Sequence, residues 1–177
     1  PVAARARALG VEIIGDIELL ARGAAPARWI GITGTDGKST TTALAGHVLA
    51  HAGLGCAVGG NIGVPALSLP RQASDGTYVL EMSSYQLELT PSARFDVAVL
   101  LNITPDHLDR HGGMDGYVAA KRRIFASGGG ARLAVVGVDD PTCEEIAGML
   151  ERERGREVVR ISSARRLARG VSCAGGI

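Results

Sequence analysis

Lys38 and Ser39 open a Lys-Ser-Thr-Thr-Thr run that follows an apolar stretch from Trp29 and the glycines Gly31, Gly34 and Gly37. An apolar strand, a glycine turn and a lysine beside a hydroxyl at a helix start are the parts of a phosphate cradle. The glycines let the backbone bend so that successive N–H groups converge on an anion, and the helix N-terminus adds its partial positive charge. Lys38 would then reach the β- and γ-phosphates of a nucleotide, and Ser39 would hold Mg²⁺ through its hydroxyl. The strict G-x-x-x-x-G-K-[ST] spacing is not met, because Ile32 stands five places before Gly37; the residues run G-x-x-G-T-x-G-K-S instead.

Further candidates lie downstream. Glu81 sits at the end of the apolar run Tyr78 to Met82, where an unpaired buried carboxylate would be costly. A Mg²⁺ shared with the phosphates would relieve that cost; a glutamate reaching the surface from a strand end is the alternative. Asp106, His107, Asp109, Arg110 and His111 crowd into six positions after Pro105, a density that suits a metal or substrate site, or else a salt-bridged loop. In the run Met114 to Ala126, Lys121 shares an apolar helical stripe with Tyr117 and Ile124, while Arg122 and Arg123 point away. A lysine so placed either snorkels to water or has its pKa lowered by desolvation. The glycine run Gly59 to Gly63 carries one amide, Asn61, and by itself reads as a plain turn.

The elements that must position these groups are strands and helices in alternation. Residues Val2 to Leu9 fit a helical tail, Val11 to Ile14 an extended piece and Asp16 to Ala21 a helical turn, so that 1–27 reads as a linker remnant and the domain proper as 28–177. From Arg28 the pattern is strand, loop, helix: a helix Lys38 to Ala52 closed by Gly53, strands Cys56 to Val58, Tyr78 to Met82 and Val97 to Leu101, and a short proline-opened helix Pro65 to Leu69. A helix Met114 to Ala126, a linker Gly128 to Gly130, a strand Arg132 to Val136, a helix capped by Asp139-Asp140-Pro141 and ending near Arg154, and a strand Glu157 to Ile161 complete it. Short uninterrupted apolar strands alternating with helices predict an α/β fold, a parallel sheet covered by helices on both faces. Four polar runs, TGTDGKS, GGNIG, EMSSYQ and NITPDHLDRH, each follow a predicted strand, where ligands bind in open α/β sheets.

With 177 residues, 46% of them hydrophobic, and a net charge of +1, the chain has material for one core and no strong field for nucleic acid or a membrane surface. The partner is expected to be an anionic small molecule. Cys56, Cys143 and Cys173 are odd in number and unpaired in spacing, which suggests neither a disulfide framework nor a zinc site. No long apolar window or signal sequence is present, so a cytoplasmic, monomeric protein is expected. The start at Pro1 without Met suggests a fragment.

Taken together, GITGTDGKSTTT, GGNIGVPAL, YVLEMSSYQLE and LNITPDHLDRHGGMDGYVAAKRRIF, in this order, resemble the central ATP-binding domain of the Mur ligase family, whose fold is P-loop NTPase-like. These are ATP-dependent amide-forming enzymes of peptidoglycan precursor synthesis, with folate-polyglutamating relatives. The match covers about residues 10 to 165, and the S-S-Y-Q-L-E run points to the branch that adds D-glutamate to UDP-N-acetylmuramoyl-L-alanine. The resemblance implies ATP and Mg²⁺ as cofactors and an ATP-binding set of Gly34, Thr35, Asp36, Gly37, Lys38, Ser39 and Thr40. It implies that Ser39 and Glu81 hold one Mg²⁺, that His107 and a carbamylated Lys121 hold a second, and that Asn61, Ser83 and Gln86 line the muramoyl-peptide side. Lys38, His107 and Lys121 are the catalytic candidates.

Two features depart from the family pattern. Asp36 stands where the family usually has Asn, placing an extra negative charge near phosphates. The uridine-nucleotide domain, the H-N-x-x-N region and the amino-acid-binding domain are not among these residues, so the chain is expected to be inactive alone. A folylpolyglutamate synthetase or a nucleotide-binding ATPase module without ligase activity are the competing readings.

Overall fold

The computed structural model of the chain describes residues 2–24, 26–126 and 130–173. Two helices, α1 (Val2–Ala8) and α2 (Asp16–Gly23), precede strand β1 (Arg28–Thr33), helix α3 (Lys38–His51) and strand β2 (Cys56–Gly60). A short 3₁₀ turn at Ala66–Ser68 leads to β3 (Thr77–Glu81), α4 (Ser84–Glu88) and β4 (Val97–Leu100). Then come α5 (Leu108–His111), α6 (Met114–Ala126), β5 (Leu133–Gly137), α7 (Pro141–Leu150), β6 (Glu157–Ser162) and β7 (Val171–Ser172). The seven strands form one sheet in the order β2-β3-β1-β4-β5-β6-β7, every neighbouring pair parallel. The chain leaves β1 toward β2 and β3 on one side and returns to β4 on the other, so the strand order reverses beside β1. That reversal opens a crevice at the carboxyl ends of β1, β3 and β4.

Alternation along the strands sorts side chains to two faces. Trp29, Tyr78, Leu80, Met82, Ala98, Leu100, Ala134 and Val136 join the larger core together with residues of α2, α4, α6 and α7. Ile32, Val79 and Val99 face the other way, against Ala45 and Leu49 of α3. Both faces are therefore covered, as the alternation of strands and helices predicts. Gly46 lets α3 lie close on β2, since a Cβ there would run into the Val58 side chain. Gly31 has a similar role: a Cβ on it would stand 2.6 Å from the Phe95 ring. This corrects the expectation that Gly31 bends the phosphate loop, because the residue sits inside β1 and is needed for packing. Phe95 is fully buried, worth roughly 2 to 3 kcal/mol.

The observed elements depart from the expected ones where tertiary contacts decide. Val11 to Ile14 forms no strand. In α2, Ile17 is in the core and Glu18 is buried, its carboxylate accepting from Ser92 N–H (2.9 Å), Ser92 Oγ–H (2.5 Å) and Arg22 Nε–H (2.7 Å). Burial opposes that charge, yet these donors hold its pKa below the ordinary value. Gly59 and Gly60 extend β2 where a turn was expected, because they pair with Leu80 and Glu81 of β3 and Asn61 N–H donates to Glu81 O at 3.0 Å. Helix α7 is capped by Asp140, which accepts from Cys143 N–H at 2.8 Å, and stops at Leu150 rather than near Arg154. Past Leu150 the residues Glu151 to Arg154 are charged and exposed, so no apolar contact rewards another turn. The expected Gly128 to Gly130 linker lies partly outside the described residues. The elements that strand–helix alternation could not reveal are β7, two residues long, and the short helices α4 and α5.

Candidate functional site

The loop after β1 is fixed from the loop after β4. Asn102 Oδ1 accepts from the N–H groups of Thr35 (3.0 Å) and Asp36 (2.8 Å), and its Nδ2 donates to Asp36 O at 3.2 Å. Thr35 Oγ1 donates to Thr104 O (3.1 Å), accepts from Thr104 N–H (3.0 Å) and lies 3.1 Å from the Tyr117 hydroxyl. Gly37 then takes a left-handed conformation, φ 76°, at the N-cap of α3, a backbone that favours glycine. Ser39 and Thr40 follow, exposed in the first turn of α3. Asp36 is exposed as well.

Two lysines meet this loop on consecutive carbonyls. Lys38 Nζ donates to Thr35 O at 2.7 Å, and Lys121 Nζ donates to Gly34 O, also at 2.7 Å. Lys121 comes from α6, is 2% exposed, and lies 4.7 Å from the centroid of the Tyr117 ring. Of the two sequence alternatives, burial wins over snorkelling. Burial, with Lys38 nearby, lowers its pKa from 10.5 to about 8. Burial also pushes the Tyr117 hydroxyl above its ordinary pKa.

Lys38, Asn61, Ser83, His107 and Lys121 line a single cleft of about 330 Å³, so five expected residues from three loops and two helices converge. Tyr85, Ser84, Asp106 and Tyr117 complete the walls. Glu81 is 2% exposed and stands behind Asn61, whose Nδ2 donates to Glu81 Oε1 at 2.7 Å. The second oxygen, Oε2, is buried without a hydrogen-bond partner. A buried carboxylate oxygen left open in this way fits a Mg²⁺ that takes one or two carboxylates and completes its shell with water and phosphate. Among the described residues no group of three or more His, Cys, Asp or Glu could hold a metal by itself, which suits a cation shared with a nucleotide and not a closed protein cage. In the expected arrangement Ser39 and Glu81 would hold one such cation, and His107 with Lys121, the latter only once carbamylated, would hold a second.

His107 is placed by an uncommon backbone: its φ is 50°, the one positive value at a described non-glycine residue. Asp106 Oδ1 accepts its N–H at 2.9 Å, and its ring meets Tyr85 edge-on at 5.2 Å between centroids. Ser83 caps α4, accepting from Gln86 N–H at 3.2 Å, while Gln86 Oε1 accepts from Ser83 N–H (3.1 Å) and Oγ–H (3.0 Å). The Gln86 side chain is thus engaged in a capping box and does not line the cleft. Asp109 does not line it either, Arg110 pairs with Glu88 at 2.7 Å, and His111 is turned inward. Sequence reasoning missed Asn102 and Tyr117 as site residues. The N-I-T run directly after a strand was the available signal for Asn102.

A wider cleft of about 850 Å³ lies at the amino ends of β1, β4 and β5, beside Trp29, Arg94 and Arg132. None of the site residues borders it. No helix among the described residues is long and apolar enough to cross a membrane.

Comparison with known proteins agrees with this geometry. The chain is 55% identical to the UDP-N-acetylmuramoylalanine--D-glutamate ligase of Paramagnetospirillum magneticum, over 100% of this chain and 38% of that protein. It is 58% identical to the ligase of the same name from Rhodospirillum rubrum, over 96% of this chain and 35% of that protein. The chain therefore spans little more than a third of the length of these relatives. Among solved structures, a UDP-N-acetylmuramoyl-L-alanyl-D-glutamate--2,6-diaminopimelate ligase superposes with a TM-score of 0.63 at 22% identity, covering 86% of this chain and 36% of that one; at that identity the likeness speaks for the fold. The description "Mur ligase middle domain" matches residues 32–169, and the chain belongs to the Mur ligase family.

Proposed function

We propose that this chain is the ATP-binding domain of a ligase that joins D-glutamate to UDP-N-acetylmuramoyl-L-alanine in the cytoplasm, for peptidoglycan precursor synthesis. The observation that carries the reading is the convergence of Lys38 and Lys121 on adjacent phosphate-loop carbonyls, in the cleft that Asn61, Ser83 and His107 also line. The names of the relatives at 55% and 58% identity supply the substrates.

In this reading the muramoyl-alanine carboxylate attacks the γ-phosphorus of ATP and the bond to the β-phosphate oxygen breaks, releasing ADP. The amine of D-glutamate then attacks the acyl carbon and phosphate leaves as the amide forms. Lys38 exchanges its bond to Thr35 O for the phosphates and neutralises charge developing on the transferring group. The free N–H groups at the start of α3 add to that field. Asn61 orients Glu81 so that Oε2 stays open. Mg²⁺, when held by Ser39 and the open oxygen of Glu81, would supply charge screening for the phosphates. Lys121, neutral above about pH 8, attacks CO₂ through its lone pair and loses a proton, giving a carbamate whose oxygens suit a hard cation.

A ligase of full family length carrying this domain tests the reading. It should form one ADP and one phosphate per amide, and Lys38→Ala should lower turnover at least about a hundredfold with an unchanged thermal melt. Unchanged turnover in that variant sinks the phosphate-loop assignment. ATP hydrolysis with no amide formed would mark a nucleotide-binding ATPase module, and glutamylation of a folate in place of the muramoyl substrate would mark a different ligase of the superfamily.

A further inference from the structure

One buried imidazole ties the two short helices that form the cleft wall opposite the phosphate loop. The His111 side chain is 1% exposed; its Nδ1 lies 3.0 Å from Glu88 Oε1 and its Nε2 lies 3.0 Å from Ser84 Oγ. Ser84 and Glu88 are the first and last residues of α4, one turn apart on the same face, so a single side chain spans the whole helix. The ring also sits between Tyr85 and Tyr117, at 5.6 and 5.5 Å between centroids. An ionised Glu88 can only accept, so Nδ1–H donates to it and Nε2 is left to accept from the Ser84 hydroxyl. Both ring nitrogens are thereby satisfied inside the protein. Glu88 uses its other oxygen for Arg110 Nη2 at 2.7 Å, and the Arg110 guanidinium lies 5.4 Å from the Tyr85 ring centroid.

This tether bears directly on His107. Helix α5 has four residues, Leu108–His111, too few to stand unaided. His107 at its N-cap holds a left-handed backbone, φ 50°, which is unfavourable for a residue with a side chain and must be held by its surroundings. The backbone N–H of His111 donates to His107 O at 3.2 Å, so His111 is bonded to His107 through its main chain and to α4 through its ring. Tyr85, between the two bonded ends of α4, meets the His107 ring.

We propose that His111 is a positioning residue, which by clasping Ser84 and Glu88 at both ends of α4 holds His107 and Tyr85 in place at the cleft. The proposal rests on the reading of the cleft as a site for a metal-bound nucleotide, and deepens it: His111 touches neither ligand but sets the geometry on the metal side. The clasp meets the phosphate-loop wall through Tyr117, whose ring lies against His111 and whose hydroxyl is 3.1 Å from Thr35 Oγ1.

The test titrates Mn²⁺, a paramagnetic stand-in for Mg²⁺ at oxygen-rich sites, into this chain with ATP and follows the imidazole proton resonances of His107. In the wild type the His107 signals should broaden. In His111→Ala the midpoint should rise about tenfold, the lower end of the range for groups that orient metal ligands. His111→Gln, which keeps one of the two bonds, should return part of the way, and binding of ATP in the absence of divalent cation should be equal in all three. Should His111→Ala fail to fold, Ser84→Ala and Glu88→Gln each remove or weaken one arm of the clasp and should each raise the midpoint. Unchanged midpoints in the folded variants overturn the proposal. If the wild type shows no broadening, the metal reading of the cleft fails, and the clasp is then judged by the shift that the Tyr85 ring imposes on His107. Loss of that shift in His111→Ala supports the clasp, and its retention overturns it.

Discussion

The two walls of the cleft are held by different means. The phosphate-loop wall is mostly backbone: β1 delivers the loop, Gly37 turns it, α3 carries it away, and Asn102 binds three of its main-chain groups. The opposite wall is mostly side chain: α4 and α5, of five and four residues, are joined by His111, Glu88 and Ser84 and backed by Tyr117. A wall made of main chain is stiff and indifferent to most substitutions away from its glycines. A wall made of side-chain clasps depends on each clasp, and a change of one residue can move its ligating groups. Affinity for phosphate should therefore reside in the first wall and the placement of metal and substrate in the second.

Lys121 crosses between the walls, and the largest effect is expected there. Its pKa, about 8 when folded against 10.5 ordinarily, means that between these values the unfolded chain binds more protons than the folded one. Stability then rises with pH through that window, and below it the buried cation costs roughly 3 kcal/mol. Lys121→Met keeps the volume and loses the charge. The difference in unfolding free energy between this variant and the wild type, followed by urea denaturation, should shift by roughly 2 to 3 kcal/mol in favour of the wild type from about pH 7 to about pH 10. A difference that stays constant with pH would mean that Lys121 is well solvated, and that burial does not supply the neutral amine a carbamate requires.

Asn102 tests the main-chain wall. Asn102→Ala removes the bonds to Thr35 N–H, Asp36 N–H and Asp36 O, although Thr35 N–H keeps the Asn102 backbone carbonyl at 3.0 Å. Losing the order these give the loop should cost about 2 kcal/mol, or roughly 30-fold in nucleotide affinity. Titration with a fluorescent ATP analogue measures it. The Tyr85–His107 contact belongs to the other wall and should be undisturbed; a shifted His107 signal, or a loss of less than about threefold, would mean that the walls are not separable in this way.

What the amino-acid sequence shows of these walls follows from the same difference. The phosphate loop is contiguous, and each of its parts is dictated by residues a few places away, so Gly37, Lys38 and Ser39 are legible where they stand. The sheet is legible for a similar reason, since its strands are short apolar runs with turns between them. Helices α4 and α5 are not. Five residues capped by Ser83 and ending at Glu88 carry too little helical period to register, and α5 exists because His111 is held from residues 23 and 27 places earlier. Lys121 is an intermediate case: the apolar stripe gave its face, but only the packed Tyr117 ring and Gly34 O decide that it is buried. Gly31 shows the reverse error, a glycine in the right motif whose function is to admit Phe95.

Asp36 should show the smallest effect and sharpen the comparison furthest, because it places a charge on the main-chain wall without taking part in holding it. Its N–H and carbonyl are both bound by Asn102, while its exposed carboxylate makes no hydrogen bond or ion pair among the described residues. Asp36→Asn keeps the shape and removes the charge. A unit charge about 6 Å from a phosphate in water repels it by roughly 0.7 kcal/mol, or about threefold in affinity, and less at high ionic strength. Metal-free ATP carries the greater negative charge and should gain nearly that threefold in the variant, whereas ATP saturated with Mg²⁺ should gain less. Calorimetric titration with each form, at low salt and at about 0.5 M salt, separates the two, and the difference should shrink as salt rises. Equal gains for both forms would mean that the carboxylate acts on the loop's structure, and no gain in either would mean that it faces away from the phosphates.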